Sequence, residues 1–206
     1  MKRLIAFFML LIIVYAFPKT IHITADYVEP TDTLITYKGN IQVIIEEDNI
    51  VLISESMLIK KQENKWKLLE ASTNVTFTFE NGKVQGNELV YNIDSKAGNI
   101  KNASITINDS KSEDIIKIQC QVLNFDLKND KFSGEDSDGV QIEKGKIRAN
   151  AKKFVYDRKN GKIILEGNVK LKDQEKDITL TASKIIINTE NNNMKGENVT
   201  VEIVVK

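Results

Sequence analysis

The chain contains few of the residues that metal sites and most catalytic centres use. Its 206 residues include one cysteine, one histidine, one tryptophan and two prolines. A lone cysteine forms no internal disulfide, and one cysteine with one histidine supplies too few ligands for a typical zinc site. The histidine, His22, also lies on the polar phase of its predicted strand, which favours a surface residue over a general base. The composition therefore predicts a non-enzymatic protein without a metal or cofactor.

The chain also lacks a net charge and the short motifs of nucleotide and acyl-transfer chemistry. Its 29 basic residues balance 29 acidic ones, so no nucleic-acid partner is expected. There is no glycine-rich phosphate loop, no Gly-x-Ser-x-Gly elbow and no cysteine pair. The acidic segment Glu135–Gly139 lacks the twelve-residue spacing of a calcium loop. Cys120 is interpreted as a small buried side chain rather than a reactive thiol.

One long hydrophobic run is present, and it lies at the N-terminus. Leu4–Phe17 is an unbroken run of apolar residues that follows the basic pair Lys2-Arg3, and Val14-Tyr15-Ala16 suits a cleavage site. The run is shorter than the about 20 residues that a membrane-spanning helix needs. We therefore expect a signal peptide at residues 1–16 and export to the periplasm. An uncleaved inner-membrane anchor is the alternative.

The rest of the chain alternates apolar and polar residues with a period of two. Ile147–Leu171 shows the pattern best: apolar residues alternate up to Ala151, the phase shifts, and Phe154 and Tyr156 then continue the apolar face. Asn160-Gly161 follows, a pair that favours a hairpin turn. A period of two places one face of each strand in a core. Since no segment has a convincing helical period, the chain is predicted to be all-β.

The same arrangement recurs six times, roughly every 31 residues. Each copy has a small residue, here called the corner residue, followed three and five places later by larger residues. A small residue suits a point where a strand bends at a bulge and two backbones approach. A repeat of this size buries its apolar face only by stacking on its neighbours, so one elongated domain is expected over residues 20–206. The corner residues are Ala25, Ser54, Gly86, Cys120, Ala151 and Ala182.

Three polar segments interrupt the repeats. They are Asn108–Asp114, Glu135–Asp138 and Asn191–Asn193. Polar insertions between strands are typical of solvated loops, so all three are expected at hairpin tips.

The predicted inner face admits two interpretations that periodicity does not separate. In a closed sandwich its side chains pack against one another as a core. In a two-sheet trough that stays open along one side, they line a hydrophobic groove for an acyl chain. The candidate lining residues are Ile23, Val43, Phe77, Leu89, Tyr91, Ile107, Phe125, Ile142, Phe154, Tyr156, Leu171 and Ile187.

Short motifs along the chain resemble the OstA-like family. The opening segments Thr20–Asp26 and Tyr37–Val43 carry this resemblance, as do Ala151–Tyr156 and Glu166–Leu171. The family includes the periplasmic lipopolysaccharide-transport proteins LptA and LptC and the periplasmic part of LptD. The resemblance extends over essentially the whole chain after the hydrophobic run.

This resemblance implies a twisted, open β-jellyroll, V-shaped in section, whose interior holds the lipid A acyl chains of lipopolysaccharide. Such a protein bridges the inner and outer membranes. Its partners are lipopolysaccharide or a similar amphiphile, further copies of itself, and LptC-like and LptD-like proteins. Protein partners pair with the terminal strands, predicted at Ile21–Tyr27 and Val199–Val205, whose free edges suit β-augmentation.

Three other functions stay open at this point. One is an LptC-like component held by an uncleaved Leu4–Phe17 anchor. Another is a purely structural β-solenoid with a closed core. The third is a carbohydrate-active β-helix enzyme, which requires groove-lining carboxylates, whereas the aspartates and glutamates here fall mainly in predicted turns.

Overall fold

The computed structural model describes residues 19–203, whose strands form one antiparallel sheet. The predicted signal peptide at residues 1–16 lies outside the described residues. No helix in the described part of the chain is long and apolar enough to cross a membrane. The strands are β1 (His22–Thr24), β2 (Tyr27–Pro30), β3 (Leu34–Ile45), β4 (Ile50–Gln62), β5 (Lys65–Phe79), β6 (Gly82–Asn92), β7 (Ala97–Asn108), β8 (Ile115–Asp126), β9 (Lys131–Lys144), β10 (Ile147–Asp157), β11 (Lys162–Asp173), β12 (Ile178–Asn188), β13 (Met194–Glu197) and β14 (Thr200–Ile203).

The sheet is a simple meander with two open ends. From β3 to β12 each strand pairs with the strand before it and the strand after it in the chain. At one end β1 and β2 both pair with β3, and at the other end β13 and β14 both pair with β12. The described strands therefore do not close into a barrel. The prediction of an open, all-β jellyroll is confirmed.

The terminal strands differ from their predicted bounds. The first, expected at Ile21–Tyr27, is divided into β1 and β2 by a bend at Ala25 and Asp26. The bend faces a bulge in β3, where the Asp26 N–H donates to the Gly39 carbonyl at 3.0 Å and the Asp26 carboxylate accepts from Asn40 at 2.8 Å. The last, expected at Val199–Val205, is β14, and residues 204–206 lie outside the described residues.

The long even-numbered strands change phase at their corner residues, as the repeat predicts. In β10, Ala151 is buried, Lys152 and Lys153 both face outward, and Phe154 is buried again. The same step of two consecutive outward residues follows the corner residue in β4, β6, β8 and β12. Each of these strands therefore keeps an inner apolar face on both sides of a bend.

The extra residues that produce the bend lie on neighbouring strands rather than at the corner residues. Ser54 and Ser56 of β4 pair with Ile41 and Lys38 of β3. One residue between the two serines therefore lies opposite two residues of β3. Gly39 and Asn40 together face the single residue Glu55, and their φ angles are 73° and 45°. Asparagine and glycine tolerate this left-handed backbone better than other residues. The bulge expected at the phase shift is present, but its extra residue lies on the strand opposite the corner residue, whose small side chain faces it.

One of the polar insertions also lies elsewhere than expected. Glu135–Asp138 is part of β9, not a hairpin tip. The seven residues from Glu135 to Gln141 in β9 lie opposite only four residues, Gln119 to Val122, in β8. This is the widest of the bulges. Since the neighbouring strands continue past it, the insertion enlarges an existing bend instead of extending a turn.

The bends fold the sheet over on itself into a roll. The rings of Phe77 in β5 and Phe125 in β8 stack with centroids 5.3 Å apart, whereas a flat sheet separates them by roughly 14 Å. Phe79 in β5 and Phe132 in β9 stack at 5.7 Å instead of roughly 19 Å. The two halves of the bent sheet therefore face each other across one interior.

Replacing the corner residue Ala151 with leucine is expected to destabilise the protein by about 1–3 kcal/mol. Ala151 is 1% exposed and lies directly opposite Val140, so the added carbons have no free volume. Denaturant-induced unfolding measures the effect. The control is Lys152→Leu at the next, exposed position, expected within about 0.5 kcal/mol of the wild type. Equal losses in the two variants would show that the bend does not require a small side chain.

Candidate functional site

The residues predicted to line the interior all lie on the inner face of the roll. Ile23 in β1 is half-buried at the edge and packs against the core. The other predicted residues are at most 5% exposed and belong to one hydrophobic cluster. In the described residues the interior is thus filled by protein side chains, and a lipid-lining role remains a prediction. These buried residues are Val43, Phe77, Leu89, Tyr91, Ile107, Phe125, Ile142, Phe154, Tyr156, Leu171 and Ile187.

Six aromatic rings form a continuous row through this interior. Neighbouring rings have centroids 5.2 to 6.2 Å apart and are stacked or tilted, within the range of favourable aromatic contacts. At one end Tyr91, Phe77 and Phe125 contact one another, and from Phe77 the contacts continue to Tyr156 at the other end, so each end contains a tyrosine hydroxyl. The rings belong to Tyr91, Phe125, Phe77, Phe79, Phe132 and Tyr156.

The turns of the roll form two rows, one after the odd-numbered strands and one after the even-numbered strands. The two rows meet where the halves of the roll come together. Asp48, in the turn after β3, contacts Lys96 in the turn after β6 at 2.5 Å. Lys144, at the end of β9, donates to Asn192 in the turn after β12 at 2.8 Å. Each contact joins a turn to one three strands further along, and we call this line of contacts the mouth of the roll.

The most extensively hydrogen-bonded part of the mouth surrounds Asp109, in the turn after β7. Its Oδ1 accepts from Tyr156 Oη at 2.7 Å and from Thr189 Oγ1 at 3.2 Å, and its Oδ2 accepts from Ser112 Oγ at 2.7 Å. We call these four residues the Asp109 clasp. The clasp joins the turn after β7 to the ends of β10 and β12. Asn108–Asp114 lies between β7 and β8, at a hairpin tip as predicted, and most of it is exposed, but Asp109 departs from the expected solvated loop because it is 9% exposed.

Two further sets of contacts flank the clasp. On one side Ser110 Oγ donates to the carbonyl of Arg158 at 2.7 Å. On the other, Lys144 Nζ donates to Asp114 at 2.6 Å and to Asn192 at 2.8 Å, with its side chain 1% exposed. A buried ammonium group is tolerated because these partners satisfy it. The mouth is thus held by side-chain contacts, whereas backbone pairing holds each half of the sheet.

The clasp consists of a charged acceptor and neutral donors. Burial raises the pKa of Asp109, but hydrogen bonds from Ser112, Tyr156 and Thr189 outweigh burial and leave the pKa below its usual value. Burial raises the pKa of Tyr156, and the neighbouring Asp109 carboxylate raises it further. At neutral pH Asp109 is therefore ionised and Tyr156 keeps the proton that it donates.

His22 and Cys120, the two residues considered as a general base and a reactive thiol, do not belong to the Asp109 clasp. His22 is exposed on β1. Cys120 is 5% exposed at its corner position, where burial, with a contribution from the charge of Asp136, raises the pKa of the thiol to about 12. The thiol is therefore protonated and unreactive at neutral pH.

The outer face has a polar cleft along the line of bulges. Its volume is about 750 Å³, and asparagine, serine, threonine and lysine side chains form most of its lining, among them Asn150, Lys152, Asn168 and Thr181. An acyl chain meets no continuous apolar wall there. The interior of the roll is therefore the candidate site for an apolar ligand.

A protein-family model described as LptA/(LptD N-terminal domain) LPS transport protein matches residues 22–131 and 119–193. The chain belongs to this family. The two matches overlap around β8 and the start of β9, as expected for a domain of LptA/LptD N-terminal type that is built from similar repeats.

A solved structure also resembles this LptA/LptD N-terminal family member. It is LptH, the LptA-homologous periplasmic component of the lipopolysaccharide transport device from Pseudomonas aeruginosa. The alignment covers 91% of this chain and 96% of that chain, with 9% sequence identity and a TM-score of 0.29. A search of curated proteins found no match.

Sequence reasoning missed the polar residues of the mouth. Asp109 lies 47 residues from Tyr156 and 80 from Thr189 in the chain, and no local pattern joins positions so far apart. The alternation of apolar residues marks the inner face but carries no information on which turns meet. A weak signal is Tyr156 itself, because a buried tyrosine hydroxyl needs a partner.

Replacing Asp109 with asparagine is expected to lower the free energy of unfolding by about 1–3 kcal/mol at neutral pH. Because its pKa is lowered by folding, the carboxylate stabilises the protein above its unfolded pKa of about 3.9, and this stability is lost as the pH falls through the folded pKa. The variant should therefore lose less stability than the wild type on acidification.

Urea unfolding at several pH values between about pH 7 and pH 2 measures this difference. Glu175→Gln, at an exposed glutamate in the turn after β11, is the control and should follow the wild type. Parallel stability curves for the wild type and Asp109→Asn would contradict an ionised clasp.

Proposed function

We propose that this protein is a periplasmic carrier of lipopolysaccharide that holds the acyl chains of lipid A in the interior of the roll. Family membership supports the transport role. The main structural support is the apolar inner face, which continues through the long strands β3 to β12 of an unclosed sheet. The predicted lining residues, from Ile23 to Ile187, are the proposed contacts of the acyl chains.

Lipid enters in this proposal by separation of the two halves along the mouth. A net hydrogen bond to a charged group such as the Asp109 carboxylate contributes about 1.5–3 kcal/mol, whereas burial of each acyl CH₂ gains about 0.8 kcal/mol. An acyl chain of about twelve carbons thus gains on the order of 10 kcal/mol before ordering costs. That gain offsets the loss of the three hydrogen bonds of the Asp109 clasp. The inner side chains keep apolar neighbours, because lipid replaces the opposite half of the sheet.

The role is binding and transfer rather than catalysis. The interior is apolar, and the Cys120 thiol is protonated at neutral pH. A carrier of this kind needs no bound metal or nucleotide of its own. The direction of transfer then comes from partner proteins at the two membranes.

The open ends of the sheet are the proposed attachment sites for these partners. At the N-terminal end Tyr27 and Val28 are 50% and 54% exposed, and at the C-terminal end Val201 and Ile203 are 52% and 63% exposed. Large exposed apolar residues beside a free strand edge favour pairing with another strand. A further copy of the chain, an LptC-like protein or an LptD-like protein fits this description.

A photo-crosslinking amino acid at Phe125 is expected to capture lipopolysaccharide in cells, because Phe125 is buried on the inner face, where its ring contacts those of Phe77 and Tyr91. Lys153, which faces outward and is 64% exposed, is the control position. Adducts are detected by immunoblotting for lipopolysaccharide. Adducts at Lys153 with none at Phe125 would contradict binding in the interior.

An LptC-like, membrane-anchored component is the second candidate, favoured by the hydrophobic run Leu4–Phe17. The carrier proposal includes a signal peptide at residues 1–16 and a single domain over residues 20–206. Mass spectrometry of the N-terminus of the native protein should therefore find a chain that begins near Phe17. A chain that retains residues 1–16 would support the anchored component instead.

A further inference from the structure

Tyr91 has a buried hydroxyl group without a hydrogen-bond partner. Its side chain is 0% exposed, and its Oη is the one buried side-chain polar atom of the described residues that makes no hydrogen bond. Its ring contacts the rings of Phe77 and Phe125, with centroids 5.2 and 6.2 Å away. Leaving a buried hydroxyl unpaired is unfavourable, so native proteins rarely do it without a reason.

The other tyrosine of the aromatic row shows how the fold normally satisfies such a group. Tyr91 and Tyr156 both lie five residues after their corner residues, Gly86 and Ala151. Tyr156 Oη donates to Asp109, which lies three strands earlier in the turn after β7. The two tyrosines therefore occupy matching positions in the repeat, but only Tyr156 has its hydrogen bond.

The residue that matches Asp109 near Tyr91 is Asp48, in the turn three strands before the end of β6. Its charge contributes to the raised pKa of Tyr91, after the larger effect of burial. However, its Oδ2 contacts Lys19 and its Oδ1 contacts Lys96, both at 2.5 Å. A second clasp would require the Asp48 carboxylate to accept a hydrogen bond from Tyr91. Two ammonium groups already contact this carboxylate instead.

We infer that Tyr91 Oη is a binding group for an acylated amphiphile and donates a hydrogen bond to the carbonyl oxygen that links an acyl chain to its polar head. The position suits that atom, because Tyr91 lies at one end of the apolar aromatic row and close to the mouth. The chain then follows the row past Phe125 and Phe77, and the polar head lies toward the turns that hold Asp48 and Lys96. This inference rests on the proposed function, since it requires an acyl chain in the interior.

The stability of two matched variants without lipid is the first test. Tyr156→Phe removes a hydroxyl that has a partner, so its Tm should fall by about 2–4 °C. Tyr91→Phe removes a hydroxyl that has none, so its Tm should stay the same or rise. A fall in Tm for Tyr91→Phe equal to that for Tyr156→Phe would overturn the inference, because it would show that the folded protein already satisfies Tyr91.

Binding of two simple probes is the second test. One probe is a lysophosphatidylcholine with an ester-linked hexadecanoyl chain, and the other is its ether-linked analogue, which lacks the carbonyl oxygen. Both are zwitterionic, so their head groups contribute equally. The wild type should bind the ester about tenfold more tightly than the ether. In Tyr91→Phe that preference should disappear through weaker ester binding, with ether binding unchanged.

The outcomes separate this inference from the proposed function. If the wild type and Tyr91→Phe bind both probes equally well, interior lipid binding stands and the role of Tyr91 is refuted. If the wild type binds neither probe and no lipopolysaccharide, the proposed function fails and the role of Tyr91 fails with it. An ester preference that persists in Tyr91→Phe assigns the carbonyl contact to another residue and also refutes the inference.

Discussion

The bend in the middle of the long strands is the constraint on which the rest of this structure depends. A flat sheet of this length would leave one apolar face in water, and no helix in the described residues covers it. Bulges in β3, β5, β9 and β11, with left-handed residues such as Asn40 and Asn168, bend the sheet. Small residues such as Ala151 and Ala182 on the facing strands leave room for the bent backbone. The sheet then buries its apolar face against itself.

In a sheet that folds onto itself, the two halves are connected differently along the bend and along the mouth. Along the bend, continuous strands and their backbone hydrogen bonds connect the two halves. Along the mouth, the halves meet through turns and side chains, and the buried charged side chains there include Asp48, Asp109 and Lys144. Backbone pairing is extensive and cooperative, whereas a few side-chain hydrogen bonds contribute about 1–3 kcal/mol each. This difference makes the mouth the line along which the proposed lipid entry separates the two halves while the backbone pairing of the sheet is kept.

The two halves of the chain use the same repeat position in different ways. Near the C-terminal half, Tyr156 and Asp109 bind each other and close the mouth. Near the N-terminal half, the lysines on Asp48 leave the hydroxyl of Tyr91 without a partner. In a repeat protein, a change in one turn alters the polar contacts of that turn and leaves the apolar core unchanged. The two ends of the interior therefore differ in their polar contacts: the Tyr156 hydroxyl has a partner and the Tyr91 hydroxyl has none.

The sequence alone determined the β-strand class, the six-fold repeat, the inner face and the resemblance to a family. These properties depend on residues a few positions apart. The spacing of Ala151, Phe154 and Tyr156, for example, indicates a shift in the apolar alternation, and this holds wherever the strand lies in the sheet. The position of each bulge was not readable, because a bulge is defined by the register between two strands. Only the tertiary structure decided which turns meet at the mouth, that Asp109 is buried, and that Tyr91 lacks a partner. Those properties depend on how far the whole sheet bends. The bend is the combined effect of bulges in several strands, so no single segment of the sequence determines it.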